Sequence, residues 1–166
     1  MNTKNSYSLY VPDVNEPTFE LLLVEDNTFD AHLLQDRLKD CDGPAKRCNV
    51  RWLSDCDHVI QFLRADDSYT PDLIIVDYRM PSNGGRAIAD IKNNADYKHI
   101  PVVALTGSHF ANDVCDIYRR GANCCYHKPS NLDEYDALIR TITVHWFETV
   151  CSPRRTHSSR KKDSGL

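Results

Sequence analysis

Residues 73–77 read Leu-Ile-Ile-Val-Asp, an apolar run that ends in a carboxylate, and Tyr78-Arg79-Met80-Pro81 follow at once. A short, continuous apolar run of this kind is typical of a strand buried on both faces, as in a parallel sheet. Open parallel sheets place their reactive groups outside the carboxyl ends of the strands, so Asp77 is a candidate nucleophile. By itself, an Asp before a Pro-containing turn is more commonly a turn residue. The assignment therefore depends on the rest of the chain.

Other strand-like runs also end in groups with useful chemistry. Three of them are followed by charged or hydroxyl side chains: 19–24 by Glu25 and Asp26, 102–105 by Thr106, and 123–127 by Lys128. If these runs are neighbouring parallel strands, three carboxylates, a hydroxyl and an ammonium meet at one edge of a sheet. Solvated loop residues are the plainer interpretation of each group alone. Four matched strand ends together favour a functional site.

Strand and helix patterns alternate five times between Phe19 and Val150. The expected strands are 19–24, 49–53, 72–76, a fourth from Pro101 and a fifth ending near His127, each followed by an amphipathic segment. Such alternation with right-handed crossovers predicts an α/β fold, a doubly wound five-stranded parallel sheet with helices on both faces. The flavodoxin-like strand order 2-1-3-4-5 places the first and third strands side by side. Glu25 and Asp26 are then expected next to Asp77.

The predicted cluster of Glu25, Asp26 and Asp77 has an electrostatic consequence. Three carboxylates this close repel one another and raise each other's pKa unless a cation lies among them. Ligation by oxygen atoms alone suits a hard divalent ion, and Mg²⁺ is the expected cofactor.

Length and charge indicate one domain with two extensions. The chain has 166 residues, which is enough for a single hydrophobic core, and a net charge of −4. Residues 1–17, with Pro12 and Pro17, are expected to form an N-terminal arm, residues 18–150 the domain, and residues 151–166 a disordered basic tail. The tail has five Arg and Lys against one Asp. The body is therefore more acidic than the whole chain, which argues against nucleic acid as a partner.

Hydropathy and cysteine content predict a cytoplasmic protein that is neither membrane-bound nor disulfide-linked. The longest apolar runs are far shorter than the roughly 20 residues that span a bilayer, and the first residues lack the apolar segment of a signal peptide. The seven cysteines are an odd number without CxxC spacing, which fits neither a disulfide framework nor a zinc site. The adjacent Cys124 and Cys125 are expected to act as small hydrophobes in a strand, with a redox role as the alternative.

At this point the sequence resembles a response-regulator receiver domain. The residues that carry the resemblance are Leu23-Val24-Glu25-Asp26-Asn27, Val76-Asp77-Tyr78-Arg79-Met80-Pro81 with Gly85 after it, Leu105-Thr106-Gly107, and Lys128-Pro129. They occur in order and at the usual spacing, and the resemblance covers about Phe19 to Val150.

The resemblance implies a signalling receiver, not an enzyme in the ordinary sense, that promotes its own Mg²⁺-dependent phosphorylation and dephosphorylation. Asp77 would accept the phosphoryl group from a histidine kinase or a small acyl phosphate. Asp26, Asp77 and the backbone carbonyl of Arg79 would ligate Mg²⁺, with Glu25 acting through a water. Thr106 and Lys128 would bind phosphoryl oxygens. This set of groups suits phosphoryl transfer, in which charge spreads over the oxygens.

One family position departs from the pattern, and one backbone feature is implied. The residue three before the lysine is usually Tyr or Phe, whereas here it is Cys125 beside Tyr126. Strand alternation points these two side chains to opposite faces, so the conformational switch is muted or carried by other groups, unless a one-residue bulge lets Tyr126 take the position. The resemblance also implies a cis Lys128–Pro129 bond.

The partners expected from the resemblance are proteins. No output domain follows the receiver in this sequence, so signalling by contact with an unknown downstream protein is expected. The chain is also similar to the small single-domain regulators paired with bacterial and cyanobacterial phytochrome kinases. The matching segments are 21–27, Asn123-Cys124, Ser130-Asn131-Leu132 and Trp146-Phe147.

Two functions of other classes stay open. A pseudo-receiver would be an interaction module that is never phosphorylated; the missing aromatic residue at position 125 favours it and the complete set of acidic, hydroxyl and lysine groups disfavours it. A haloacid-dehalogenase-type phosphatase also uses an aspartyl nucleophile after a parallel strand. That class requires a second Asp two residues later, where this chain has Arg79.

The length and apolar pattern of the expected last helix predict a homodimer. It is expected from Leu132 to Val150, about 19 residues and roughly 28 Å. Trp146, Phe147 and Val150 lie at spacings that one narrow core-facing stripe cannot accommodate. We therefore expect leftover apolar surface there to pair with a second copy, with coverage by the N-terminal arm as the alternative.

Overall fold

The computed structural model describes residues 18–66 and 69–150. The expected N-terminal arm and basic tail lie outside these described residues. Five strands form one parallel sheet in the order β2-β1-β3-β4-β5, which confirms the predicted topology. The strands are β1 (Phe19–Val24), β2 (Cys48–Leu53), β3 (Leu73–Asp77), β4 (Val102–Thr106) and β5 (Cys124–His127).

Five helices cover the two faces of the sheet, as predicted. They are α1 (Thr28–Asp40), α2 (Val59–Arg64), α3 (Gly84–Asn93), α4 (Ala111–Arg119) and α5 (Leu132–Val144). The apolar residues of α1 and α5 pack on one face, and those of α2, α3 and α4 on the other. The central strands β3 and β4 are buried along their whole length, which explains why their sequences are continuous apolar runs.

Asn and Asp side chains cap several of the helical segments. The Asn27 side chain accepts hydrogen bonds from the backbone N–H groups of Phe29 and Asp30, and Asn131 does the same for Glu134. Asp55 caps a short 3₁₀ turn, Cys56–His58, and not the α2 helix itself, which begins at Val59. Asn83 caps α3 from the left-handed region, with φ of 67°.

The last helix differs from the expectation. It ends at Val144 and continues as one π-helical stretch, His145–Thr149. The wider turn directs Phe147 into the core, where it is 5% exposed and its ring stacks on Phe19 at 4.1 Å between centroids. Trp146 is half-buried against the same core. Of the three residues expected to leave apolar surface exposed, Phe147 is therefore buried, whereas Trp146 and Val150 are partly exposed.

The register of β5 settles the position of the missing aromatic residue. Cys124 to His127 pair continuously with Val103 to Thr106, without a bulge. Cys125 packs against the α2–α4 core and Tyr126 against the α1–α5 core. Tyr126 therefore does not replace the usual aromatic residue, and the bulge alternative is excluded.

Two further findings concern membrane-spanning helices and the cysteines. Every helix within the described residues is too short or too polar to cross a lipid bilayer. The six cysteines of the described part of the chain are free thiols, and burial raises the pKa of the Cys125 thiol, which disfavours its reactive thiolate.

Candidate functional site

The carboxyl ends of β1, β3 and β5 bring the predicted charged residues together around one ammonium group. Lys128 Nζ lies 2.7 Å from Glu25 Oε2 and 2.9 Å from Asp77 Oδ2. Its third carboxylate partner is Asp30 Oδ2 at 3.0 Å, from the first turn of α1. An ammonium has three N–H donors, so these three bonds use its full capacity.

Burial makes these charges interact strongly. Glu25 is 3% and Asp77 is 6% exposed, whereas Asp26 is exposed. Burial raises the pKa of Glu25 to about 7, and the nearby Asp77 charge acts in the same direction, although the Lys128 hydrogen bond opposes both. Burial alone would lower the pKa of Lys128, but its hydrogen bonds to Glu25 and Asp77 raise it above the ordinary value. Lys128 is therefore a fixed positive charge in an acidic site.

Glu25, Asp26 and Asp77 form a group that can hold a metal ion. Each residue offers one oxygen atom, and these atoms lie within 4.8 Å of one another. Among the described residues, no other group of three or more His, Cys, Asp or Glu side chains lies close enough together to hold a metal ion. Three converging carboxylate oxygens suit a hard divalent cation, as the sequence predicted. The backbone of Arg79 is also at the site, because its N–H donates to Asp77 Oδ1 at 3.0 Å.

Thr106 ends β4 next to these groups. It is fully buried, and its hydroxyl oxygen accepts a hydrogen bond from the Ser108 N–H at 3.1 Å. Its backbone carbonyl accepts from the Lys128 N–H at 2.8 Å, which ties the end of β4 to the residue after β5. The hydroxyl therefore keeps its own hydrogen available as a donor.

A polar bridge joins the loops beside the site. The Arg79 guanidinium donates to the Ser108 hydroxyl at 3.1 Å and also pairs with Asp113 in the first turn of α4. Hydrogen bonds from Ser108 and Arg79 lower the pKa of Asp113. The Ser108 hydroxyl accepts the Phe110 N–H as well, at 3.2 Å. Arg79 thus connects the β3–α3 loop to the β4–α4 loop.

The start of α3 lies directly against the backbone of Asp77. A Cβ atom built on Gly84 would lie 1.9 Å from the Asp77 carbonyl oxygen, a distance that no side chain tolerates. At Gly85, the glycine that carried the resemblance, a Cβ would instead meet the Arg120 side chain at 2.9 Å. Gly84 is therefore the residue that permits close packing of α3 on the site.

The expected cis Lys128–Pro129 bond is wrong. No cis peptide bond occurs in the described residues. With a trans bond, the Lys128 side chain still reaches Glu25, Asp30 and Asp77.

Three residues at the site were not singled out from the sequence. They are Asp30 in the first turn of α1, Ser108 after β4 and Trp52 in β2. The Trp52 indole N–H donates to the Glu25 backbone carbonyl at 2.7 Å. Asp30 was detectable in principle, because helices that follow parallel strands begin at the same sheet edge as the site.

Comparison with known proteins agrees with this geometry. The response regulator receiver domain family matches residues 21–140. The response regulator Rcp1 of a Synechocystis species is 36% identical over 146 residues, which cover 85% of this chain and 97% of Rcp1.

Solved structures give the same result. The phosphorylated cyanobacterial phytochrome response regulator RcpA superimposes with a TM-score of 0.75 and 29% identity, over 82% of this chain and 99% of RcpA. The Mn²⁺-bound form of Rcp1 gives a TM-score of 0.69 and 35% identity, over 82% of this chain and 99% of Rcp1.

Proposed function

The chain belongs to the response-regulator receiver family, and from that premise we propose that it accepts a phosphoryl group on Asp77. It is a response regulator of a two-component phosphorelay. The observation that carries the assignment of Asp77 is its position at the end of β3, where its carboxylate contacts Lys128 and belongs to the potential metal group. Glu25 shares both properties but ends the neighbouring strand β1, where the family places an acidic metal-binding residue.

The chemistry follows from the groups around Asp77. A carboxylate oxygen of Asp77 forms a bond to phosphorus, while the bond from phosphorus to the donor breaks and its electron pair leaves with the imidazole or acetate. Lys128 and the Thr106 hydroxyl would hold phosphoryl oxygens, whose charge grows during transfer. Glu25, Asp26, Asp77 and the carbonyl oxygen of Arg79 would hold Mg²⁺, which when bound supplies positive charge beside the phosphoryl group.

The test is intact-mass analysis after incubation with Mg²⁺ and acetyl phosphate. Wild type gains one phosphoryl group, and Asp77→Asn does not. Asp72→Asn is a matched control, because Asp72 directly precedes the same strand. Its carboxylate accepts a hydrogen bond from the Glu20 N–H at the opposite edge of the sheet. An adduct that persists in Asp77→Asn contradicts the assignment. Absence of any adduct on wild type supports the pseudo-receiver, which Cys125 favours.

The proposed phosphoryl donor is a histidine kinase of the phytochrome type. The support is the similarity to Rcp1 and to the cyanobacterial phytochrome response regulator RcpA. A kinase of this kind draws on ATP, so we place the protein in the cytoplasm. Phosphotransfer from a radiolabelled phytochrome kinase should be faster than from an unrelated histidine kinase at equal concentrations. Equal rates would contradict the pairing.

The homodimer through the last helix region stays a proposal, on a revised surface. Phe147 is buried, so the large apolar side chains that α5 exposes within the described residues are Leu132 at 53% and Val144 at 37%. A symmetric contact through α5 would bury them. Light scattering at micromolar concentration should give a dimer mass that falls in Val144→Asp. A monomer mass with and without beryllofluoride, a phosphoryl mimic, rules the dimer out.

A further inference from the structure

Asp30 is a charged partner of Lys128 that lies outside the potential metal group. The Lys128 ammonium bonds to three carboxylates, of which Glu25 and Asp77 are also potential metal ligands. Asp30 bonds to the same ammonium at 3.0 Å but is not among those ligands. Its side chain is 26% exposed, against 16% for Lys128, so the pair lies at the rim of the site.

The local geometry of α1 explains why Asp30 is available. A carboxylate three residues after the N-cap commonly reaches back to the N-cap N–H. Here the Asn27 N–H donates to Glu25 Oε1 at 3.1 Å. Glu25 therefore holds Asn27 with one oxygen and Lys128 with the other. Asp30 has no such bond to make, and its carboxylate turns from the helix start toward Lys128.

We infer that Asp30 is a positioning residue that keeps the Lys128 ammonium at the site during phosphoryl transfer; this inference rests on the proposed function. A cation bound by Glu25 and Asp77 competes with Lys128 for both of these carboxylates. Phosphorylation also removes the negative charge of the Asp77 carboxyl and moves it to the phosphoryl oxygens. Of the three partners of Lys128, Asp30 alone is neither a potential metal ligand nor the proposed phosphorylation site.

The three N–H donors of Lys128 would therefore have different roles. The bond to Asp30 anchors the ammonium from the α1 side, and the donor that faces Asp77 in this structure becomes available to a phosphoryl oxygen. Without Asp30, the ammonium would hydrogen-bond only to the potential metal ligands or would point into solvent. Charge-assisted hydrogen bonds are short and directional, so this anchor fixes the position as well as the charge.

The experiment follows the Lys128 ammonium directly. In protein labelled with ¹⁵N-lysine and saturated with Mg²⁺, NMR detects ammonium protons that exchange slowly because they are hydrogen-bonded. Loss of the signal in Lys128→Met assigns it. The variants are Asp30→Asn, which is isosteric but uncharged, Asp30→Glu, and the matched control Asp36→Asn, which removes an exposed charge from the same helix. Phosphorylation of each variant by acetyl phosphate is measured in parallel.

We expect a protected Lys128 signal in wild type and in Asp36→Asn, and exchange at least about tenfold faster in Asp30→Asn. Phosphorylation should slow about five- to tenfold in Asp30→Asn and recover in Asp30→Glu. Equal exchange in wild type and Asp30→Asn overturns the inference, as does a wild type without a protected signal. Absence of phosphorylation in wild type, with a protected signal that depends on Asp30, contradicts the proposed function and leaves the anchor intact.

Discussion

Replacing Gly84 by Ala should disrupt both the fold and the site. The added Cβ would lie 1.9 Å from the Asp77 carbonyl oxygen, 2.9 Å from the Asp77 carbonyl carbon and 3.0 Å from the Tyr78 Cα. Ordinary carbon–oxygen contacts are about 3.3 Å or longer, so the two backbones must separate by roughly 1.4 Å. Neither can move easily, because Asp77 ends a fully buried strand and the Tyr78 N–H is bonded to the Leu105 carbonyl at 2.8 Å.

The expected cost is large. Overpacking of side chains costs about 1–3 kcal/mol, and a clash between backbones belongs at or above the upper end of that range. The better helix propensity of Ala returns at most about 1 kcal/mol. We therefore expect Gly84→Ala to lower the free energy of unfolding by at least about 2 kcal/mol. A displacement of about 1 Å at Asp77 should also slow phosphorylation on the order of 100-fold.

Two other glycines supply the controls. At Gly107, next to Thr106, a Cβ would meet no atom within 4 Å, so Gly107→Ala should change stability by less than about 0.5 kcal/mol. At Gly85 the Cβ would meet the flexible Arg120 side chain at 2.9 Å and the Tyr78 ring at 3.0 Å, so Gly85→Ala should give an intermediate loss. Urea unfolding followed by circular dichroism measures all three. A Gly84→Ala chain as stable as Gly107→Ala would refute the argument from close packing.

Three further predictions concern single side chains. Burial holds the pKa of Glu25 at about 7 in the folded chain, above its ordinary 4.5, so the metal-free folded state binds this proton more tightly than the unfolded state. The resulting contribution to stability is full below about pH 4.5 and is lost as pH rises through 7. Urea unfolding at several pH values should therefore show a stability profile that is flatter for Glu25→Gln than for wild type between these pH values. Phe147→Ala should cost about 3–5 kcal/mol in urea unfolding, because it removes the ring stacked on Phe19; a loss below 1 kcal/mol would mean that the π-helical stretch does not pack as described. Asn83→Ala should lower the melting temperature more than Asn83→Gly, because φ of 67° suits Gly and not Ala; the reverse order would contradict the left-handed cap.

Local patterns predicted the sheet and much of the site. The apolar runs at 73–76 and 102–105 marked strands buried on both faces, and the topology rules for βα units then set the strand order. That order alone placed Glu25 and Asp26 beside Asp77 and Lys128 across from them. These predictions succeeded because they depend on hydrophobic periodicity and chain connectivity, which are visible in a single sequence.

Features that depend on contacts between distant side chains were not predictable in this way. Phe147 is buried because Phe19 offers a ring to stack on and because the helix widens at His145, and neither fact is encoded in the spacing of apolar residues. The role of Asp30 is not visible in the local pattern, because its bond to Lys128 spans 98 positions. The 3₁₀ turn before α2 likewise contains a distant contact, because the buried Cys56 thiol donates to the Ser82 carbonyl 26 residues away.

The connections of Lys128 also bear on how the chain folds. Its bonds reach back 103 residues to Glu25, 98 to Asp30 and 51 to Asp77. Contacts this far apart in sequence carry a higher loop-closure entropy than local contacts, so we expect them to form after the local βα units. A chain stalled before β5 docks would hold its carboxylates without their cation. We therefore expect competence for the proposed phosphorylation only after β5 docks, so partly folded chains should not accept a phosphoryl group.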